Sequence, residues 1–159
     1  MALRAIILDD EPLSLIGMER MLKRQGVDVC GAFSDPHEAL RRSEELAPDV
    51  AFVDIEMPGM NGIAAAERLL ARLPDVRIVF VTAYDQYAVD AFELNATDYL
   101  LKPVQTKRLE TTLARLATRK ARSSGTEETG GRRSAARICC FLRLSVMAGD
   151  DEGRAQDIP

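Results

Sequence analysis

The stretch Val50-Ala-Phe-Val-Asp-Ile-Glu-Met-Pro-Gly-Met-Asn-Gly62 indicates the fold more clearly than any other part of the chain. Its first four residues are apolar without alternation, which is typical of a strand buried on both faces of a parallel sheet. Asp54 follows directly, and then a loop with a proline and two glycines, which lets the carboxylate protrude. The stretch therefore predicts a central parallel strand with an acid at its carboxyl end.

The flanking sequence repeats this strand pattern in alternation with helical patterns. Amphipathic spacing, as in Leu15, Met18 and Leu22, separates four further apolar runs of strand length, namely Ala5–Leu8, Val27–Phe33, Arg77–Val81 and Asp98–Leu101. Five strands alternating with five helices require a parallel sheet with right-handed crossovers that cover both faces. We therefore predict an α/β, doubly wound domain, in which ligand chemistry gathers at the carboxyl ends of the strands.

The composition indicates a globular protein but does not indicate its function. Hydrophobic residues make up 47% and charged residues 29% of the 159 residues, as in globular domains. No apolar run approaches the roughly 18 residues that span a bilayer, so we expect no membrane segment. The net charge of −4 neither demands nor excludes a nucleic-acid partner. Cys30, Cys139 and Cys140 match neither a zinc spacing nor a disulfide framework, which favours a cytoplasmic location.

The chain divides into three predicted segments. Residues 3–121 form the α/β domain, and residues 122–137 are polar and rich in glycine, as in a flexible linker. Residues 138–159 contain one strand-like run, Ile138–Val146, which cannot be stable alone. We therefore expect residues 138–159 to be a fragment of an output domain or a disordered tail.

Three acids are predicted to meet at the carboxyl edge of the sheet. Asp9 and Asp10 end the first strand, and Asp54 ends the third. Taken alone, Asp9 and Asp10 are more typical of solvated loop acids or a helix cap. With Asp54 opposite, the carboxylates repel one another unless a cation neutralises them, and hard oxygen ligands suit Mg²⁺.

The other two strands contribute a hydroxyl and an ammonium. Thr82 ends the fourth strand and Lys102 ends the fifth. Each is unremarkable alone, since threonine is common in strands and surface lysines are usually solvated. With Asp54 as nucleophile, the Lys102 ammonium and a divalent ion supply the charge compensation that phosphoryl transfer to a carboxylate needs, and Thr82 adds a hydroxyl at the same edge.

Four sequence motifs that contain these edge residues resemble the motifs of two-component response regulator receiver domains. They are Ile7-Leu-Asp-Asp-Glu-Pro12, Val53-Asp-Ile-Glu-Met-Pro-Gly-Met-Asn-Gly62, Val81-Thr-Ala83 and Tyr99-Leu-Leu-Lys-Pro103. The resemblance covers about residues 3–121 and is specific as a set. It implies a flavodoxin-like (βα)5 fold with a five-stranded parallel sheet in the order 2-1-3-4-5.

The resemblance also implies a role for each motif residue. Asp54 would accept a phosphoryl group from a sensor histidine kinase, and the Lys102 ammonium would pair with the phosphoryl oxygens. The Lys102–Pro103 peptide bond would be cis. Thr82 and Tyr99 would form the switch. The Mg²⁺ ligands would be Asp9, Asp10, Asp54 and the backbone carbonyl of Glu56. His37, the only histidine, lies in a helix-starting segment and is not expected to take part.

The segment 83–96 indicates how the signal leaves the domain. It resembles the fourth helix of receivers joined to LytTR-type DNA-binding domains, and Tyr84 and Tyr87 offer aromatic surface for a homodimer formed on phosphorylation. The dimer face would comprise the fourth helix, the fifth strand and the fifth helix. Ile138–Val146 also resembles the opening strand of winged-helix activators, although Leu142 stands at an expected glycine. DNA would be bound only through an output domain missing or truncated here.

Three other functions compete with a phosphorylation switch. A hydrolase with an aspartyl-phosphate intermediate would turn over phosphomonoesters, but such enzymes commonly carry Asp-x-Asp at the first strand. A phosphate-independent binding module would lack some of the edge residues, and here all are present. A nucleotide-binding flavodoxin relative would need a P-loop or a Gly-x-Gly-x-x-Gly after the first strand, and neither occurs. We therefore expect a self-phosphorylating signalling domain and not an enzyme.

Overall fold

The computed structural model describes residues 2–87 and 93–123, with side chains for 2–86 and 93–118. All of these residues belong to one compact unit, Met1–Gly125. The predicted linker beyond Ser123 and the predicted segment 138–159 lie outside the described residues. Both domain assignments therefore stay predictions.

Five parallel strands form one sheet in the order β2-β1-β3-β4-β5. The strands are β1 (Arg4–Leu8), β2 (Asp28–Phe33), β3 (Val50–Val53), β4 (Arg77–Thr82) and β5 (Asp98–Leu101). Every residue of β3 is buried, which accounts for its unbroken apolar sequence. The predicted α/β class, parallel sheet and strand order are confirmed.

In the described part of the chain, residues 2–87 and 93–123, four α-helices cover these strands, and the first three of them also connect consecutive strands. They are α1 (Pro12–Arg24), α2 (Pro36–Leu46), α3 (Gly62–Arg72) and the helix Thr106–Ser123, here called the Thr106 helix. Of the predicted fourth helix, the structure describes a short 3₁₀ turn, Asp85–Tyr87, and residues 88–92 are outside the described part. Within the described ranges, no helix combines the length and apolarity needed to cross a membrane.

The two faces of the sheet bury separate apolar clusters. On one face, α2 and α3 cover alternate strand residues that include Ile6, Val53 and Phe80. On the other face, α1 and the Thr106 helix cover Ile7 and Phe52 among others. Because side chains alternate between faces, a slip of one residue would exchange the two clusters, so the close packing of each cluster against its own helices opposes such a slip.

The backbone ladder continues one step beyond the strands at their carboxyl ends. The Asp54 amide donates to the Leu8 carbonyl at 2.8 Å, and the Lys102 amide donates to the Thr82 carbonyl at 2.8 Å. The residues that end β3, β4 and β5 are therefore held at a common edge. Side chains leaving this edge form the site described next.

Candidate functional site

Three carboxylates meet where β1 and β3 end. Oxygens of Asp9, Asp10 and Asp54 all lie within 4.8 Å of one another. Asp9 and Asp54 are 4% and 8% exposed, whereas Asp10 faces solvent. The amide of Glu11 donates to Asp9 at 2.9 Å, and the amide of Glu56 donates to Asp54 at 3.2 Å. Each buried acid is thus oriented by the loop that follows its own strand.

The Lys102 ammonium lies between the two buried acids. Its Nζ is 2.6 Å from an oxygen of Asp9 and 3.0 Å from an oxygen of Asp54, and it also contacts the Ser14 hydroxyl at 3.3 Å. The peptide between Lys102 and Pro103 is cis, as the resemblance implies. The edge of the sheet therefore brings together acids and an ammonium that are far apart in sequence.

The buried charges shift one another's protonation. Burial raises the pKa of Asp54, and hydrogen bonding and charge from Lys102 only partly offset this. Burial alone would lower the pKa of Lys102, but its hydrogen bonds to Asp9 and Asp54 outweigh burial and raise that pKa. The lysine is therefore held as an ammonium, whereas its charge and hydrogen bond only partly offset the effect of burial on the Asp54 carboxylate.

The donor set fits a divalent cation such as Mg²⁺. Asp9, Asp10 and Asp54 offer hard carboxylate oxygens from rigid strand ends, with solvent access at Asp10. One ammonium does not balance three carboxylates, so negative charge remains for an ion to neutralise. These three side chains are the described residues that could hold it.

Thr82 and Tyr99, the predicted switch pair, are linked through the loop after β4. Thr82 is fully buried, and its hydroxyl oxygen lies 3.5 Å from the Tyr84 amide nitrogen. The Tyr99 phenol donates to the backbone carbonyl of Tyr84. A movement of this loop would therefore affect both side chains, although their switching role stays a prediction.

One cavity of about 510 Å³ joins most of the predicted site residues. It is lined by residues that include Asp10, Asp54, Glu56, Thr82, Tyr84 and Lys102. The predicted metal-ligand role of the Glu56 carbonyl stays a prediction. His37 lies in the first turn of α2 and does not line this cavity, whereas the side chain of Tyr87 is outside the described part.

Gly62 supports the segment that carries Asp54 in a way that the sequence does not reveal. The sequence predicts only a loop glycine there, but Gly62 begins α3 and packs against the backbone of Asp54. A Cβ atom at Gly62 would lie 2.0 Å from the Asp54 carbonyl oxygen and 2.7 Å from the Ile55 Cα. The Gly62 amide also donates to the Ile55 carbonyl at 2.8 Å. A side chain here would displace the segment that carries Asp54.

Asp98, at the start of β5, anchors the Thr106 helix. Its buried carboxylate accepts hydrogen bonds from Arg108 at 2.5 and 3.1 Å, Arg115 at 3.1 Å, Thr112 at 2.7 Å and the Tyr99 amide at 2.9 Å. Burial alone would raise the pKa of Asp98, but the hydrogen bonds from Thr112, the Tyr99 amide and Arg108, together with the Arg108 charge, outweigh it and lower that pKa. The only sequence signal is the seven-residue spacing of the arginines, which places them on one helix face.

The fold and the site together define a class of small α/β domains that carry clustered carboxylates and a lysine at the carboxyl edge of a parallel sheet, and comparison with known proteins identifies the family. Residues 5–114 match the family described as the response regulator receiver domain. An uncharacterised response regulatory protein of Vibrio vulnificus is 47% identical over 118 residues, covering 72% of this chain and 48% of that protein. The transcriptional regulatory protein BtsR of Escherichia coli is 43% identical over 117 residues, with the same coverage.

A solved structure agrees with these relatives. The response regulatory domain of the protein MrkE from Klebsiella pneumoniae has 31% identity and a TM-score of 0.70, covering 76% of this chain and 99% of that one. The chain therefore belongs to the response regulator receiver domain family, a family of signalling domains. It spans about half the length of the curated relatives that it matches.

Proposed function

We propose that Asp54 accepts a phosphoryl group from the phosphohistidine of a sensor histidine kinase, in a reaction that requires Mg²⁺. The observation that carries this proposal is the buried Asp54 carboxylate, which lies in a cluster of three acids and 3.0 Å from the Lys102 ammonium. Asp9, Asp10, Asp54 and the Glu56 carbonyl would hold the ion.

The proposed chemistry is a displacement at phosphorus. A carboxylate oxygen of Asp54 attacks the phosphorus, and the bond to the donor imidazole nitrogen breaks with its electron pair left on that nitrogen. Lys102 pairs with the transferring oxygens, and a bound Mg²⁺ would compensate the rest of their charge. Water later attacks the acyl phosphate, which regenerates the carboxylate and releases inorganic phosphate. Both steps are self-catalysed, without turnover of a small substrate.

The phosphoryl group would act as a charge switch. It adds about −1.5 to −2 charge beside Thr82, whose hydroxyl would turn toward it. Tyr99 would follow, since its phenol is bonded to the same loop through the Tyr84 carbonyl. The change would reach a face that contains Tyr84, Tyr87, β5, the Thr106 helix and the predicted fourth helix.

The response of this face would be a homodimer that controls a DNA-binding output domain, of LytTR type by the resemblance. The transcriptional role in the name of BtsR supports this proposal. DNA binding would require an output domain beyond the receiver, and the location would be cytoplasmic, where its kinase partner presents phosphohistidine. Sedimentation with and without a phosphoryl mimic tests the dimer, and an unchanged mass would refute it.

Labelling by acetyl phosphate in the presence of Mg²⁺ tests the acceptor itself. The parent protein should gain one phosphoryl group, and Asp54→Asn should gain none. Asp75→Asn, an exposed acid at the opposite edge of the sheet, is the matched control and should label like the parent. Retained labelling of Asp54→Asn would overturn the assignment, and turnover of small phosphomonoesters would favour a hydrolase instead.

A further inference from the structure

We propose that Ser14 is a positioning residue for Lys102. Its hydroxyl holds the Lys102 ammonium in place while the acids bind the metal ion and the phosphoryl group. This inference rests on the proposed function of Asp54. It concerns a hydroxyl on α1 that lies outside the family motifs quoted above.

The contacts of Lys102 show why a third acceptor matters. An ammonium has three N–H donors, and the described acceptors are Asp9 at 2.6 Å, Asp54 at 3.0 Å and Ser14 at 3.3 Å. The two carboxylates dominate this arrangement because they are charged and closer. Ser14 is the one uncharged acceptor, so a divalent cation has little reason to take it away.

The Ser14 hydroxyl is itself oriented for this role. It donates its proton to the Glu11 carboxylate at 3.1 Å, which leaves its lone pairs available to the Lys102 ammonium. Ser14 lies in the first turn of α1, directly after the loop that carries Asp9 and Asp10. The hydroxyl is therefore presented by a helix and not by a mobile surface loop.

Because there is open space around the Lys102 side chain, the contact with Ser14 affects where the ammonium lies. A cavity of about 570 Å³ borders the site and is lined by Asp9, Ser14, Gly17, Met21, Lys102 and Val104, among others. A lysine side chain has a flexible four-carbon stem, and fixing it costs conformational entropy. When Asp9 and Asp54 bind an ion, contact with Ser14 keeps one N–H occupied and directs the other two toward phosphoryl oxygens.

The test compares Ser14→Ala, which removes the acceptor, with Ser14→Thr, which keeps a hydroxyl and has cavity space for its methyl group. Phosphorylation is followed against acetyl phosphate concentration at saturating Mg²⁺. We expect Ser14→Ala to lower the maximal rate about tenfold, as for other losses of orientation, with little change in the half-saturating concentration. Ser14→Thr should recover most of the rate. Leu13→Ala, a 77% exposed neighbour, is the matched control and should behave like the parent with this small donor.

A second readout does not depend on phosphorylation. With Mg²⁺ at saturation and no phosphoryl donor present, ¹³C relaxation of the Lys102 ε-carbon should report a lower order parameter in Ser14→Ala and the parent value in Ser14→Thr. Calorimetry should give the same Mg²⁺ affinity in all three proteins. Parent-like rates or an unchanged order parameter in Ser14→Ala would overturn the inference, as would a Ser14→Thr variant as slow as Ser14→Ala. If the parent itself takes no phosphoryl label, the proposed function fails instead.

Discussion

The Lys102 ammonium lies 3.0 Å from the Asp54 carboxylate, although 48 positions separate the two residues in the chain. In the absence of an ion, this ammonium contacts Asp9 and Asp54, two of the three carboxylates that a divalent cation would use. During phosphoryl transfer, by contrast, the ammonium and the cation would cooperate, because both would neutralise negative charge on the phosphoryl oxygens. Removing the lysine should therefore change metal binding and phosphorylation in opposite directions.

Lys102→Met should bind Mg²⁺ more tightly than the parent and accept phosphoryl groups more slowly. We expect Mg²⁺ affinity to rise about threefold to tenfold because a competing charge leaves the acid cluster. The phosphorylation rate with acetyl phosphate should fall about 100-fold, as when a group that stabilises the transition state is lost. Calorimetry and labelling measure the two effects, and Lys107→Met, an exposed lysine, is the control. Weaker Mg²⁺ binding in Lys102→Met would contradict the competition.

Mg²⁺ should stabilise the parent protein, and Asp10→Asn should lose most of this stabilisation. An ion that binds only the folded state at 100 times its Kd adds about 2.7 kcal/mol to the free energy of unfolding. In metal-free buffer, Asp10→Asn should instead be more stable than the parent, because one of three clustered negative charges is gone. Thermal unfolding with and without Mg²⁺ checks both signs, with Asp75→Asn as control. A parent Tm that does not respond to Mg²⁺ would argue against a metal site here.

The fold and the meeting of the site residues were accessible from sequence for a simple physical reason. The apolar run Val50–Val53 has no polar alternation because both of its faces are covered, and this condition is typical of a parallel sheet whose strands alternate with helices. In a parallel sheet all carboxyl ends share one edge. Asp54, Thr82 and Lys102 each stand at the carboxyl end of a strand, so they had to lie at that edge although they are far apart in the sequence.

What the sequence could not reveal depends on side-chain direction and on close approach. The Ser14 contact with Lys102 requires the orientation of α1 over the sheet, which no residue pattern specifies. The tight packing of Gly62 on the Asp54 backbone depends on the path of the loop after β3. Asp98 looks like an ordinary residue that opens a strand, and only the position of the Thr106 helix turns it into an anchor.

Gly62→Ala and Gly17→Ala should have opposite effects on stability, although both place an alanine in a helix. The Gly62 Cβ would lie 2.0 Å from the Asp54 carbonyl oxygen, so the backbone must shift, and we expect a loss of roughly 3 kcal/mol. At Gly17, within α1, a Cβ meets nothing within 4 Å, so alanine should add about 0.5–1 kcal/mol through helix propensity. Chemical denaturation measures both. Equal stabilities of Gly62→Ala and the parent would show that the close approach does not matter.

Asp98→Asn should destabilise the protein at neutral pH but not at strongly acid pH. The folded-state pKa of Asp98 is lowered, so its carboxylate contributes stability above the unfolded value of about 3.9, and this contribution is lost as the pH falls through the folded value. Between about pH 5 and 7, we expect the variant to lose roughly 2 kcal/mol, because a buried carboxylate gives up charged hydrogen bonds. Solvent weakens the two ion pairs, since the arginine side chains are 42% and 56% exposed.

Denaturant unfolding of the parent and Asp98→Asn across the acid range checks both the size and the sign of this effect. The difference between the two proteins should be constant near neutrality and shrink below about pH 4, where the unfolded Asp98 becomes protonated. Asp28→Asn is the control, because Asp28 forms an exposed ion pair with Arg4 at 3.7 Å and should contribute little at any pH. A difference that grows as the pH falls would mean that the folded-state pKa of Asp98 is raised and not lowered, and its charged hydrogen bonds would then not be what anchors the Thr106 helix.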